Sequence, residues 1–261
     1  MSFETIRIEV DARGVATLTL SQPDKHNAMS GQTITELSAA AKQLAEDTNV
    51  RVVVLTGEGK SFCAGGDLGW MRAQFEADRE TRIAEAMKLA RMLRDLNELP
   101  KPLIGRINGQ AFGGGIGMIS VCDVAIGVDT AKFALTETRL GLIPATISPY
   151  VLARMGEGNA RQIFMSGQRF DAVRAVELGL LSSVVSLDEM EMAIEVQIEP
   201  YLSAAPGAVA KAKALARSLG PTINEDEMKR TAGLLADCWE SEETREGIAA
   251  FFAKEKPSWQ I

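Results

Sequence analysis

Val52-Val53-Val54-Leu55 is apolar at every position, and this run constrains the fold more than any other feature of the chain. A strand wetted on one face alternates apolar with polar side chains. A strand with no polar side chain has to be covered on both faces, as in a sheet flanked by helices. The neighbouring segments fit such a sheet. Thr5-Ile6-Arg7-Ile8-Glu9-Val10 alternates strictly, residues 11–14 supply a turn, and Val15-Ala16-Thr17-Leu18-Thr19-Leu20 reads as the hairpin partner. Pro23 and Asn27 break that pattern ahead of a helix on which Ile34, Leu37, Ala41 and Leu44 share one face, with Ser30 as its N-cap. A second helix carries Ile83, Met87, Ala90, Leu93 and Leu96 on one side and ends at Leu99-Pro100. Residues 103–107 and 123–126 read as further short strands around the small-residue segment 113–121. Strands and helices in this order predict an α/β core with crossover connections.

Beyond about Val185 the pattern becomes almost wholly helical, over residues 187–202, 206–218, 222–238 and 242–253, with Pro200, Pro206 and Gly220-Pro221 as breaks. The chain is therefore expected to divide into a core, residues 1–196, and a helical region, residues 197–261, suited to subunit assembly. Met87, Met118, Met155 and Met165 read as packing in the core.

Composition bounds the chemistry. Of 261 residues 46% are apolar, ample for a large core, yet the apolar runs are short and broken. None approaches the ~20 residues needed to cross a bilayer. Met1-Ser2-Phe3-Glu4-Thr5 has neither the basic nor the apolar stretch of a secretion signal. Cys63, Cys122 and Cys238 are far apart and form no paired motif, as expected of a reducing cytoplasm. A net charge of −7 opposes binding to nucleic acid, which requires clustered Lys and Arg.

Several motifs fail on inspection. Gly57-Glu58-Gly59-Lys60-Ser61 follows a strand, but the leading glycine of a phosphate loop would fall at Val54. Gly113-Gly114-Gly115-Ile116-Gly117 lacks the spacing of a dinucleotide-binding turn. His26 is the single histidine, so a histidine-rich metal site is excluded, and no nucleophile elbow accompanies it. Two glycine loops remain, Ser61-Phe62-Cys63-Ala64-Gly65-Gly66-Asp67-Leu68 and Asn108-Gly109-Gln110-Ala111-Phe112-Gly113-Gly114-Gly115, each directly after a strand. Glycines there are either tight turns or places where a ligand approaches freed backbone N–H groups.

In this order the two loops resemble the paired signatures of the crotonase (enoyl-CoA hydratase/isomerase) superfamily. Pro23-Asp24-Lys25-His26-Asn27-Ala28-Met29 is similar to its early CoA-contacting turn, and Cys122-Asp123 to the strand after its glycine-rich helix. Phe133-Ala134-Leu135-Thr136-Glu137-Thr138-Arg139-Leu140-Gly141-Leu142-Ile143-Pro144 resembles its catalytic-glutamate segment, and Glu246-Gly247-Ile248-Ala249-Ala250-Phe251 its last helix. The resemblance covers essentially the whole chain. It implies a spiral of ββα turns followed by helices that build a homotrimer or a dimer of trimers. It also implies an acyl-CoA substrate, no cofactor beyond the CoA moiety and no metal. By the same resemblance the N–H groups of Gly66 and Gly114 hold the thioester oxygen and Glu137 is the acid/base. Ala64, Gly65, Asp67 and Leu68 line the CoA path, Lys25, His26 and Ala28 belong to the contacting turn, and Lys254 is a candidate phosphate contact.

One departure stands out. Hydratases of the family typically carry a second glutamate on the glycine-rich helix, where this chain has Gly117. Hydration with Glu137 alone and isomerisation with Glu137 as sole proton shuttle both remain open, as does a non-catalytic CoA-binding scaffold. The segment Arg139-Leu140-Gly141-Leu142-Ile143-Pro144-Ala145-Thr146-Ile147-Ser148-Pro149-Tyr150 looks closest to bacterial hydratases of the methylglutaconyl-CoA type. Arg139 reads either as the partner of a terminal acyl carboxylate, on the same side as Glu137 if the stretch is extended, or as a surface or intersubunit ion pair.

Overall fold

A computed structural model describes residues 3–260; Met1 and Ser2 of the N-terminal segment, and Ile261, lie outside the described residues. The alternating segments form an antiparallel hairpin, β1 (Ile6–Val10) and β2 (Val15–Leu20), with Ile6 opposite Leu20. After a 3-10 turn at Pro23–Lys25, α1 (Gly31–Glu46) starts where Ser30 Oγ accepts the Thr33 N–H at 3.2 Å. Ile34, Leu37, Ala41 and Leu44 are buried, and Glu36 turns inward with them to accept the N–H groups of Glu4 and Thr5.

The chain then repeats one pattern: a strand, a short second strand, and helix. The first unit is β3 (Val52–Gly57), β4 (Ser61–Cys63), α2 (Leu68–Glu76) and α3 (Arg79–Asn97). The next is β5 (Leu103–Ile107), β6 (Gln110–Phe112) and α4 (Gly114–Ser120). A third comprises β7 (Val124–Val128), β8 (Lys132–Ala134), a 3-10 turn at Glu137–Leu140, α5 (Ser148–Met155) and α6 (Glu157–Phe164). Then come β9 (Phe170–Asp171), α7 (Ala172–Glu177) and β10 (Ser183–Val185), followed by α8 (Met190–Ser203), α9 (Pro206–Ser218), α10 (Glu225–Glu240) and α11 (Glu242–Ala253).

Two sheets result, β1-β2-β3-β5-β7-β10 and β4-β6-β8-β9. The pairings β2 with β3, β3 with β5, β5 with β7 and β7 with β10 are parallel, as are β4 with β6 and β6 with β8. Each unit therefore stacks beside the one before it, in the same direction, and the chain winds as a spiral of ββα turns. All six residues of β3 are buried at the centre of the larger sheet, which accounts for its lack of polar alternation.

Four expectations need correction. Pro200 does not end a helix: it lies inside the last turns of α8, which closes at Ser203. The helix expected from residue 222 begins at Glu225, because Asn224 Oδ1 caps it by accepting the Glu227 N–H at 2.9 Å. Met87, Met118 and Met155 are buried, but Met165 is 69% exposed, since it sits at the end of α6 and points off the core. The segment holding Arg139 is the 3-10 turn Glu137–Leu140, so the alternation of an extended strand does not apply to it. The 196/197 division falls within α8, whose Met190, Ile194 and Ile198 pack into the main core.

Candidate active site

The turn between β2 and α1 is held by Asn27, which is buried in the left-handed conformation at φ 54°. Its Nδ2 donates to the carbonyls of Glu58 at 2.9 Å and Ser61 at 2.8 Å, while its Oδ1 accepts the Gln22 N–H at 2.9 Å. One amide thus ties the turn to the connection between β3 and β4. The adjacent Met29 completes the join: its N–H donates to Gly65 O at 2.7 Å and its carbonyl accepts the Asp67 N–H at 2.9 Å. Gly66 is pinned between these two bonds, and its own N–H has no acceptor among the described residues. Asn27→Ala removes all three side-chain bonds and strains the backbone, so chemical unfolding is expected to show a loss of about 3 kcal/mol.

The second loop leaves β6 at Phe112 and turns sharply at Gly113, with φ 49° and ψ −117°, a region only glycine occupies readily. The Gly113 N–H donates to Ala134 O at 3.1 Å, so this turn is anchored to β8. Gly114 opens α4, and its N–H also has no acceptor among the described residues. A Cβ on Gly114 would stand 1.9 Å from Met29 Cε, so any larger residue here requires the end of that flexible side chain to move.

Glu137 begins the 3-10 turn after β8, and this turn is braced from the C-terminus: Thr244 Oγ1 in α11 donates to Gly141 O at 2.8 Å. The carboxylate reaches the second glycine loop, with Oε1 3.2 Å from where a Cβ on Gly113 would lie. Its Oε2 is sealed from solvent and has no partner among the described residues. Burial disfavours the charged form and pushes the carboxyl up to about 7. The same effect pushes the Cys63 thiol, just before the first loop, up to about 12, so it stays protonated near neutral pH.

Both loops and Glu137 open onto one cavity of about 520 Å³. Met29, Leu68, Trp70, Leu142 and Ile147 make much of its wall apolar, and Phe251 and Pro257 of the C-terminal segment reach it too. Two unbonded backbone donors and a neutral-leaning carboxyl beside an apolar chamber suit proton transfer next to a carbonyl whose oxygen gains charge.

Residues 11–261 match the family model described as enoyl-CoA hydratase/isomerase. The chain belongs to the enoyl-CoA hydratase/isomerase family. An enoyl-CoA hydratase of Alternaria alternata is 34% identical over 206 residues, 78% of this chain and 67% of that protein. The crystal structure of an enoyl-CoA hydratase from Shewanella pealeana is 37% identical with a TM-score of 0.81, covering 98% of this chain and 96% of that one. Another, from Mycobacterium avium, is 30% identical with a TM-score of 0.85, covering 98% and 99%.

Of the positions the family pattern points to, Ala64, Gly65, Gly66, Leu68, Gly114 and Glu137 stand on the cavity wall. Lys25, His26, Ala28, Asp67 and Lys254 do not. Lys25 is exposed, His26 Nδ1 lies 3.0 Å from Ser61 Oγ, and Ala28 donates its N–H to Lys25 O. Asp67 caps α2 through the Trp70 N–H at 3.0 Å, and Lys254 caps α11 in the left-handed conformation. A Cβ on Gly117 would meet Ile147 Cγ2 at 2.7 Å and Leu93 Cδ1 at 3.4 Å, so apolar side chains fill the space a second family carboxylate would need.

Arg139 lines the cavity and lies along Gly167, where a Cβ would come 2.8 Å from its Nε; no carboxylate among the described residues pairs with it. Sequence reasoning missed Arg169, which reaches the same cavity with its guanidinium 5.4 Å from the Phe112 ring centre. It also gave no role to Thr146, another wall residue. Neither carries a motif signal of its own.

Proposed function

We propose that the protein is an enoyl-CoA hydratase that adds water across the 2,3 double bond of an acyl-CoA thioester. The observation that carries this reading is the buried Glu137 carboxyl, raised to about 7, lining one cavity with two glycines whose N–H groups have no acceptor among the described residues. The Gly66 and Gly114 N–H groups hold the thioester oxygen. Each such donor contributes about 3 kcal/mol to the transition state when the oxygen becomes enolate-like.

Water adds its oxygen to C3, and the double-bond electrons move toward the thioester carbonyl. The proton leaving water passes to Glu137, which returns one proton to C2 as the carbonyl reforms. The sum is one water added, with the carboxylate regenerated. Ala64, Gly65, Asp67 and Leu68 line the CoA path mainly through backbone. Lys25, His26, Ala28 and Lys254 meet the outer part of CoA, the cations at its phosphates. Self-association as a trimer or a dimer of trimers draws on apolar side chains exposed on α8 and α9 and at the end of α9, among them Met192, Val196, Leu215 and Leu219.

The finer reading is an acyl chain ending in a carboxylate, of the branched methylglutaconyl kind. Arg139 and Arg169 support it as two cations on the cavity wall, neither paired with a carboxylate among the described residues. Loss of the conjugated absorbance of crotonyl-CoA or 3-methylglutaconyl-CoA is the expected result, with Arg139→Ala weakening turnover of the acidic substrate selectively. Equal effects of Arg139→Ala on acidic and plain substrates would dispose of the acidic reading. Gly117 at the second carboxylate position favours the isomerase alternative, and a 3-enoyl-CoA that gains conjugation without any hydration would establish that instead. CoA binding without turnover of either substrate would leave a scaffold.

A further inference from the structure

Three contacts fix the indole of Trp70, which lines the cavity from the first turn of α2. Its Nε1–H donates to Glu85 Oε2 in α3 at 3.3 Å, and Lys88 Nζ holds the other oxygen of that carboxylate at 2.5 Å. Cδ1 lies 3.9 Å from where a Cβ on Gly31 would stand, so the start of α1 backs the five-membered ring. The six-membered ring lies against Gly66, where a Cβ would meet Cε3 at 3.7 Å and Cζ3 at 3.8 Å. Met71 Cγ stands 3.6 Å from the same point. The space beside Gly66 is therefore closed by two large side chains at van der Waals distance. Methionine yields when pressed, through its rotatable bonds, whereas an indole with its N–H bound and its flank packed does not.

On the hydratase reading, on which this inference rests, the Gly66 N–H holds the thioester oxygen. The substrate atoms within two bonds of that oxygen are C1, C2 and sulfur. A ring packed on Gly66 thus stands beside the start of the acyl chain, not its far end. We propose that Trp70 excludes acyl groups branched at C2, with Glu85 as the positioning residue that keeps the indole in place. A hydrogen on C2 fits beside the ring. A methyl group there overfills the site, and the indole can make room only by leaving Glu85. Substituents on C3 and beyond are not sensed by this wall. The class selected is therefore a 2-enoyl thioester with hydrogen at C2, straight or branched at C3.

The test measures kcat/KM for hydration of crotonyl-CoA, 2-methylcrotonyl-CoA and straight-chain 2-hexenoyl-CoA by the parent, Trp70→Ala, Trp70→Phe and Glu85→Leu. One methylene refused by a pocket is worth about 10- to 200-fold, so the parent should prefer crotonyl-CoA to its 2-methyl homologue by about tenfold or more. Trp70→Ala should cut that preference about tenfold, and Trp70→Phe should cut it by less, with the crotonyl to hexenoyl ratio within about twofold of the parent's. Differences in intrinsic reactivity cancel, because every variant is compared with the parent on the same pair of substrates. Trp70→Phe retains most of the apolar fill, so it decides the matter where Trp70→Ala is too unstable to assay. Glu85→Leu should cut the preference about threefold, and add nothing in Trp70→Phe, which has no N–H to hold. An unmoved 2-methyl ratio in the Trp70 variants, or a loss shared equally by all three substrates, overturns the proposal. An equal effect of Glu85→Leu with and without the indole overturns the positioning role. A parent that hydrates none of the three removes the hydratase reading and this role together, whereas a parent that hydrates crotonyl-CoA at a ratio its variants leave unchanged removes the role of Trp70 alone.

Discussion

Hydration is expected to fall about a thousandfold in Glu137→Gln, with acyl-CoA binding nearly unchanged. Glutamine keeps the size of the side chain and its place beside Gly113 but can neither accept the proton of the attacking water nor return one to C2. In the parent, the group that takes the proton must be ionised when water attacks. Burial raises its pKa to about 7, so kcat/KM should climb as pH rises through that value and level off above it. The variant should lack this limb.

Stability should move in the opposite direction. The folded-state pKa is raised from an ordinary 4.5 to about 7, so between those pH values the folded chain holds a proton that the unfolded chain has released. Stability from that proton is complete below the unfolded value and is lost as pH rises through the folded one. At about 1.4 kcal/mol per tenfold, the gap amounts to roughly 3 kcal/mol at pH 8. Glu137→Gln has no such loss, so its stability relative to the parent should grow between pH 5 and pH 8 in chemical unfolding. Parent-like turnover in the variant, or a stability difference that does not change with pH, would show that this carboxyl is neither the acid/base nor buried as described.

How much of this could be read before the coordinates depended on the length over which a pattern repeats. The hairpin, α1 and β3 were legible because each carries one pattern over five or more residues, as the unbroken burial of β3 shows. The smaller sheet was not. Its strands are two or three residues long, too short for any periodicity, and they pair with partners far along the chain, as Ser61 does with Gln110. The glycine loops were legible as a pair in order, whereas glycine clusters alone look like turns. What makes the site specific was hidden in turns. Thr146 sits in an apolar stretch that says nothing of an unpaired hydroxyl, and alternation could set Arg139 beside Glu137 only if the stretch were extended, whereas a 3-10 turn forms. Gly117 was visible as a missing acid, but only the packing reveals Ile147 in the space such an acid would require.

The other large effect is expected at Gly113, through the direction of one N–H. With φ 49° and ψ −117°, Gly113 sets the plane of the peptide that it shares with Gly114, and hence where the Gly114 N–H points. An alanine Cβ would lie 3.2 Å from Glu137 Oε1 and 3.9 Å from Gly65 Cα, in a conformation that costs an L-residue about 1–3 kcal/mol. Rotating the peptide would relieve that strain and take the donor off the oxygen that it is proposed to hold. Gly113→Ala should therefore lower kcat about 100- to 1000-fold, the loss associated with one such donor. Strain alone is separable by Gly156→Ala, where φ is also positive at 74° but no atom lies within 4 Å of the added Cβ and the position is off the cavity wall. That variant should lose comparable stability and keep its rate. If Gly113→Ala turns over like the parent below its melting temperature, the Gly114 N–H is not a donor to the reacting oxygen. If Gly156→Ala loses as much rate, strain anywhere in the fold is enough, and the second glycine loop has no special claim on the chemistry.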